Sequence, residues 1–529
     1  MKNKKLLKIG VPLIIIAIFI SGFAFINSDF YRKKALKKKV YDASQKTIQY
    51  YYDTYKKDEF AGIMDWPALG LYGFGEDISG EVWTVNGKNA AYFREKQIKN
   101  GQGLSKTKNT DYQRTIIGIT SAKKDPRNFG GINLVKAVKD TMLENGHFAD
   151  SVEDKRTKKP VGDDLINSQC FGTIALHCAG EPIPNRDKAM RWLEKNQHHD
   201  GGFTWDVKNF DDKEDYLKTA SDVDMTSAVL MALSILKVDK DYPPVKRALE
   251  YLKSHQLDNG GFESWGTENP ESAVWAIQAL LMYGENPLDK KWEKDKDCNP
   301  VTFILKHQLP NGAFTHVLDE KDMSPLYNNS LTTYECLYGM ADIYNEETTY
   351  DRLFKANKPN TEKILFSDLL HGSHGYKEVI DVVYNYIMDS YSDGTFKPKK
   401  EITKGDLGRY LVNLLNLQGD FYKKFSGDEL KFVKENKKSN VLEIDSNNNY
   451  IEICIEKGLF KDIPSLNKKG DMDKKITGKE FITALENGAK LKNKTVKVEE
   501  LKFKSFSESE TVNRLNCAIS FSKFKQLIK

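Results

Sequence analysis

The chain has 529 residues, room for three or four domains, and its 40% hydrophobic residues with 36 Gly and 16 Pro mark it as globular, not disordered or fibrous. It carries 80 basic and 75 acidic side chains, a balance of +5, and the first 40 residues hold ten Lys and Arg against the single Asp29. The remaining body is therefore mildly acidic, and with no basic stripe interleaved with aromatics it has no electrostatic basis for binding nucleic acid.

In chain order, Lys2, Lys4, Lys5 and Lys8 precede eighteen uncharged residues, Ile9 to Ile26, apolar on every face and close to a bilayer span in length. Residues 1–36 are predicted to be a targeting segment, a signal peptide or a membrane anchor, so that the body is exported. Gly22 and Ala24 fit a small-x-small cleavage site, but the run is long for a signal and continues past them, which favours a retained anchor. The basic residues from Arg32 to Lys39 weaken a positive-inside reading. Six cysteines form no C-x-x-C pair, and Cys170 and Cys178, on one predicted helix, stand about 12 Å apart, too far to bridge. They read as small buried hydrophobes.

Between residues 88 and 316 one phrase recurs: a helix, a Gln, then a Gly-rich turn and an aromatic. The clear copies are Gln197 with Asp200-Gly201-Gly202-Phe203, Gln256 with Asn259-Gly260-Gly261-Phe262, and Gln308 with Asn311-Gly312-Ala313-Phe314. Weaker copies contain Gly101 and Gly146, so the turns step by 45 to 59 residues, a repeat period. Each glycine is predicted to end a helix in the left-handed conformation, and each Phe to fold back onto the helix pair. The intervening stretches Ile166–Gly180, Asp224–Leu236, Glu271–Tyr283 and Asn329–Tyr344 are apolar almost all round, hence buried inner helices. Asp187–Asn196 and Pro244–Ser254 are amphipathic and outer. With Tyr41–Tyr55 and Pro67–Phe74 there are about six pairs, which suit a closed double ring. A linear stack needs polar capping repeats, which the sequence lacks.

These turns resemble the motifs of the squalene-cyclase and protein-prenyltransferase superfamily, and Thr110–Arg114 with Lys124–Asn128 is similar to its bacterial surface-protein branch. The resemblance spans roughly residues 40–350 and implies a mainly α protein with an (α/α)6 toroid over residues 37–358. Ser221-Asp222-Val223-Asp224-Met225-Thr226 resembles the Asp-x-Asp-Asp-Thr motif of class II terpene cyclases, whose central Asp, here Asp224, is a proton donor flanked by Asp222. Met225 replaces the last acidic residue and removes one neighbour of that acid. The plainer reading makes Asp222 an N-cap and puts Asp224 in the first helical turn. Aligned by repeat, Glu271 and Asn167 match Asp224, while Asn269 and Asn329 match Asp222. The inner-helix N-termini are expected to ring a pocket for a small ligand, bordered by Glu271, Asn167, Asn329, Trp275 and Tyr334. Prenyltransferase zinc ligands are missing: no cysteine lies beside the turn aspartate, and Tyr334 and Glu335 stand where a His is needed. His198, His199 and His307 are expected at the surface. No cofactor or metal is expected.

Past Lys358 a second pattern begins. Asp393-Gly394-Thr395-Phe396-Lys397-Pro398 and Ile402-Thr403-Lys404-Gly405-Asp406 predict a turn, a plugging Phe and a helix capped by Thr403. The wording is similar to an S-layer homology (SLH) module, and the resemblance extends to three modules, 362–418, a degenerate 425–492 and a truncated 498–529. It implies binding of secondary cell-wall polysaccharide through Lys404, Asp393 and Thr403. Lys404, Gly478 and Phe521 align with the motif's Arg, so one cation is expected among the three. The whole reads as an exported bacterial cell-envelope protein with a ligand-binding toroid, or alternatively a class II terpene-cyclase-like enzyme acting through Asp224.

Overall fold

In a computed structural model of the chain, residues 3–207, 213–319, 328–358, 366–391, 393–425, 447–503 and 506–528 are described; the side chains of 3–28 fall outside that description. The elements are helices: α1 (Asn3–Tyr55), α2 (Trp66–Gly73), α3 (Ala90–Lys99), α4 (Asn109–Ser121), α5 (Leu134–Lys139), α6 (Ile166–Cys178), α7 (Arg186–Glu194) and α8 (Lys213–Lys218). Next come α9 (Val223–Ile235), α10 (Pro243–Ser254), α11 (Pro270–Met282), α12 (Pro300–Lys306), α13 (Ser330–Asn345) and α14 (Thr349–Asn357). The C-terminal region holds α15 (Tyr376–Tyr384), α16 (Lys404–Leu414), α17 (Asn447–Glu456), α18 (Gly478–Leu491), α19 (Val498–Leu501) and α20 (Arg514–Leu527). The described strands form one two-stranded ribbon, Glu263–Ser264 against Thr267–Glu268. Among the described residues no helix is long and apolar enough to cross a membrane. The side chains of Ile9–Ile26 lie outside them, so the transmembrane expectation gains no support here.

Two compact units divide the chain, Met1–Ala90 with His255–Thr349, and Ala91–Ser254 with Tyr350–Lys529. In the first, α13 packs on α2, α11 and α1. The first inner helix thus touches the last, the adjacency a closed ring needs and a linear stack lacks. Gly70 and Gly73 on α2 allow this approach, because a Cβ there would come within 2.8 Å of Leu337 Cγ and 2.5 Å of Ala341 Cβ. In the second unit α6 packs between α4 and α9.

Four of the five repeat turns are built alike; the turn at Gly101 differs, with φ +71° and open space where a Cβ would lie. Gly146, Gly201, Gly260 and Gly312 all have φ between +88° and +92°, and each lies against the backbone of the next outer segment, respectively Ala189, Arg247, Asn299 and Lys46. The Gln then ties the two together: Gln197 Nε2 donates to Gly201 O (2.8 Å) and Pro244 O (2.7 Å), and Gln256 Nε2 to Gly260 O (3.2 Å) and Trp292 O (2.8 Å). Gln308 Nε2 donates to Ala43 O on α1 at 2.8 Å. The plugging residues Phe148, Phe203, Phe262 and Phe314 are fully buried. His198 and His307 are buried too, contrary to expectation; each sits at an outer-helix end, but its ring turns inward onto a carbonyl, of Thr219 (2.8 Å) and Phe303 (3.0 Å).

Helix α7 departs from the amphipathic pattern, with Arg186, Asp187 and Arg191 all buried. The C-terminal region covers them. Arg191 donates to Glu194, Tyr242 and Gln418 (2.6, 2.6 and 2.8 Å) and stacks 4.2 Å from the Phe421 ring, while Asp187 accepts from Asn413 at 3.2 Å. Tyr384 donates its hydroxyl proton to Gly180 O. The S-layer-like region is therefore docked on α7 rather than tethered.

Candidate functional site

Three places carry the predicted residues. In the second unit, the segment 203–206 holds the N-termini of two neighbouring inner helices: Asp222 N–H donates to Phe203 O (2.9 Å) and Ile166 N–H to Trp205 O (3.0 Å). Asp222 is the N-cap of α9 and accepts from Met225 N–H at 2.8 Å, so the capping expectation holds in geometry. Asp224 stands two residues inside the helix, and Asn167 at the same place in α6, whose N-cap Leu165 makes no side-chain cap. Asp222 is 7% exposed, and burial, with the Met225 N–H opposing it and the Asp224 charge adding to it, pushes its carboxyl up to about 7. A carboxyl of that kind is partly protonated near neutrality and can give its proton up.

In the first unit, Asn269 and Asn329 cap α11 and α13, accepting from Ser272 N–H (2.8 Å) and from Leu331 and Thr332 N–H (2.9 and 3.3 Å). Glu271 is buried at the second position of α11, where its Oε1 accepts from Thr332 Oγ1 and pairs with His316 Nδ1 at 3.0 Å. A turn further on, Trp275 Nε1 donates to Glu335 Oε2 at 3.1 Å, and Tyr334 beside it is half-buried. His316 and Glu335 were missed from sequence, because His316 follows a repeat turn and joins Glu271 only through the fold. No group of three or more His, Cys, Asp or Glu among the described residues is placed to hold a metal ion.

The third place is the C-terminal region. Ile402 N–H donates to Val512 O (2.9 Å), Val512 N–H to Ile476 O (2.9 Å) and Ile476 N–H to Ile402 O (3.3 Å), a closed ring of three segments. Around it each helix lends its otherwise unpaired first amide to the next segment: Lys404 N–H to Lys474 O, Gly478 N–H to Glu510 O and Arg514 N–H to Lys400 O, at 2.8, 2.9 and 2.8 Å. Lys404, Gly478 and Arg514 are thus the equivalent positions. Phe521 is not one of them. It is buried in the middle of α20, and the segment Val512-Asn513-Arg514 stands in its place, with Asn513 capping the helix as Thr403 and Thr477 cap theirs.

Both cations are buried. Lys404 is fully buried, its Nζ donating to Lys468 O (2.5 Å) and Gly470 O (2.9 Å), and desolvation lowers its pKa from the usual lysine value. Arg514 donates to Phe396 O (2.8 Å), Tyr410 Oη (2.5 Å) and Asp389 O, and stacks 4.5 Å from the Phe396 ring. At Gly478 a Cβ would lie 2.1 Å from Ser507 O, so only Gly fits. Thr403 forms a reciprocal capping box with Asp406. Asp393 is at the surface and shapes its turn by accepting from Thr395 N–H (3.0 Å) and Thr395 Oγ1 (2.6 Å).

The prenyltransferase alpha-alpha toroid domain family matches residues 166–272 and 220–357, and the S-layer homology domain family matches residues 366–407. Among solved structures, Candida albicans protein geranylgeranyltransferase-I with GGPP is similar at 13% identity and a TM-score of 0.40, over 58% of this chain and 94% of that one. A type II terpene cyclase from Scytonema, bound to geranylgeranyl dihydroxybenzoate, is similar at 11% identity and a TM-score of 0.39, over 60% of this chain and 99% of that one. No curated protein matches the chain. The protein thus carries a prenyltransferase-type α-α toroid domain followed by an S-layer homology domain, the domain of bacterial proteins associated with the cell surface or wall.

Proposed function

We propose that the protein is an exported envelope component held at the wall by its C-terminal modules, with the toroid over residues 37–358 serving as a non-catalytic domain for a small ligand. Residues 1–36 hold it at the membrane, and the modules at 362–418, 425–492 and 498–529 associate with secondary cell-wall polysaccharide. The observation that supports this best is the closed junction of Ile402, Ile476 and Val512, which keeps three divergent modules in one arrangement. S-layer homology domains generally bind wall polysaccharide. Thr403 and Lys404 stand at the junction of these segments, and Asp393 on an exposed turn nearby in sequence. Lys404→Ala in the full chain, by releasing the carbonyls of Lys468 and Gly470 that its ammonium holds, is expected to lower the fraction that pellets with wall sacculi; unchanged pelleting removes Lys404 from the binding role.

In the toroid, the ligand reading draws on two polar patches, one in each unit: Asn167 with Asp222 and Asp224, and Glu271 with Asn329, Trp275 and Tyr334. A thermal-shift screen of the full chain tests it, since a ligand at a hundred times its Kd stabilises by about 2.7 kcal/mol. One observation favours the enzyme reading instead. Asp222, buried close to Asp224 in sequence, is pushed up to about 7 and so is partly protonated near neutrality, which suits an acid of the class II cyclase kind. In that reading Asp224 shares the role with Asp222. A cyclised product from squalene or a prenyl substrate, lost in Asp224→Asn and Asp222→Asn, establishes the enzyme; no product leaves the binding domain.

A further inference from the structure

Glu271 Oε2 on α11 and Tyr51 Oη on α1 are buried polar atoms of the first unit that have no hydrogen-bond partner. Glu271 is 5% exposed and Tyr51 2%, so neither can turn to bulk water instead. The two share a neighbour on α13. Burial holds the Tyr51 hydroxyl well above the usual phenol range, with Tyr334 and Cys336 among the neighbours that add to it. Burial likewise raises the Cys336 thiol, and Glu271 and Glu335 add to that. Cys336 thus lies close to both, where α13 packs on α1 and α11. Glu271's other oxygen is occupied, since Oε1 accepts from Thr332 Oγ1 and pairs with His316 Nδ1 at 3.0 Å. One turn along α11 the indole of Trp275 is fixed by its N–H on Glu335 Oε2 at 3.1 Å, and Tyr334 is the half-buried neighbour of Glu335. The described His, Cys, Asp and Glu side chains nowhere gather in threes around a metal position, so a cation matched to this place is organic.

We propose that this place binds a protonated primary amine, whose N–H groups meet Glu271 Oε2 and Tyr51 Oη while its charge lies against the rings of Trp275 and Tyr334. An ammonium carries three donors and no acceptor, which suits two oxygens that both lack a donor. A carboxylate attracts a cation most strongly where water is excluded, and the faces of Trp and Tyr attract one within about 6 Å. A neutral alcohol brings a donor without the charge, and a quaternary ammonium the charge without a donor. Tyr334 and His316, whose side chain is 42% exposed, are the members that reach solvent, and they mark the way in. The proposal rests on reading the toroid as a ligand-binding domain, and its test separates the two.

Binding of n-butylammonium, n-butyltrimethylammonium and n-butanol to the full chain is measured by calorimetry at neutral pH. The expected result is that n-butylammonium binds about tenfold or more tightly than either analogue, the effect of hydrogen bonds to a charged group. Glu271→Gln should lower its affinity by about tenfold and Tyr51→Phe by about fivefold, with n-butanol binding alike to all three proteins. Tyr51→Phe keeps the ring and removes only an unpartnered hydroxyl, so it decides the matter if Glu271→Gln fails to fold. Unaltered n-butylammonium affinity in Tyr51→Phe and Glu271→Gln overturns the proposal. Equal affinity for n-butanol also overturns it but leaves a ligand site standing, and equal affinity for the quaternary ion overturns the primary amine. If none of the three binds, the proposal falls, and the thermal-shift screen decides the ligand reading on its own.

Discussion

Replacing Arg514 by Ala tests whether the segments around Ile402, Ile476 and Val512 are held as one body. Its guanidinium is 3% exposed and gives its protons to two main-chain carbonyls, Phe396 O and Asp389 O, and to the Tyr410 hydroxyl. Each such charged hydrogen bond contributes about 1.5–3 kcal/mol, but relief of the buried cation's desolvation offsets part of that sum. The balance is a loss of about 3–5 kcal/mol, because three acceptors lose their donor at about 1–3 kcal/mol each. Because the chain has several domains, a single unfolding midpoint would blur the effect. Hydrogen exchange at the ring amides of Ile402, Ile476 and Val512 isolates it, and protection there should fall by about a hundredfold to a few thousandfold. Arg514→Lys, which keeps a donor but not the fork, should fall between the two. Protection within threefold of wild type in Arg514→Ala would show that the cation does not hold the junction.

Gly260→Ala should prevent folding of its unit or cost more than about 3 kcal/mol, because a Cβ there meets Asn299 N at 2.2 Å on a backbone at φ +88°. Gly284→Ala, at φ +72° with open space around it, should cost only about 1 kcal/mol, and circular-dichroism melts distinguish the two. Asp222 binds its proton more tightly folded than unfolded, so its contribution is complete below pH 4 and is lost as pH rises through about 7. Asn caps equally well without a charge, so Asp222→Asn should match wild type near pH 4 and exceed it at pH 8, by on the order of 4 kcal/mol, in denaturant titrations. Arg191→Ala should expose the α7 face to proteolysis, since it removes the contact to Gln418 and the stack on Phe421; an unchanged digestion pattern contradicts the docking.

Features with local causes were legible in the sequence. The turns were, because a left-handed glycine followed by a buried aromatic is written in adjacent letters, as in Gly201-Gly202-Phe203. The four inner helices fall within two residues of their expected ends, and Asp222, Asn329 and Thr403 cap as their residue types suggest. What escaped depends on distant partners. Helix α7 has an amphipathic pattern that points its charges outward, yet Arg191 and Asp187 are covered by residues more than 220 positions away. The position equivalent to Lys404 in the last segment is Arg514 and not Phe521, which sequence could not tell because Val512-Asn513-Arg514 has Asn in place of Thr and follows no Asp-Gly-Thr-Phe turn; the ring of backbone hydrogen bonds sets the register. Asn167 matched Asp224 in position, but its helix begins at Leu165, where no side chain caps.

Attachment to wall polysaccharide is the claim on which the rest depends, and cosedimentation of the full chain with two preparations of sacculi tests it most directly. One preparation retains its secondary polysaccharide and the other has been stripped of it by acid. The chain should pellet with the first and stay in the supernatant with the second, and free polysaccharide should compete it off. Equal pelleting with both preparations, or none with either, would contradict the account.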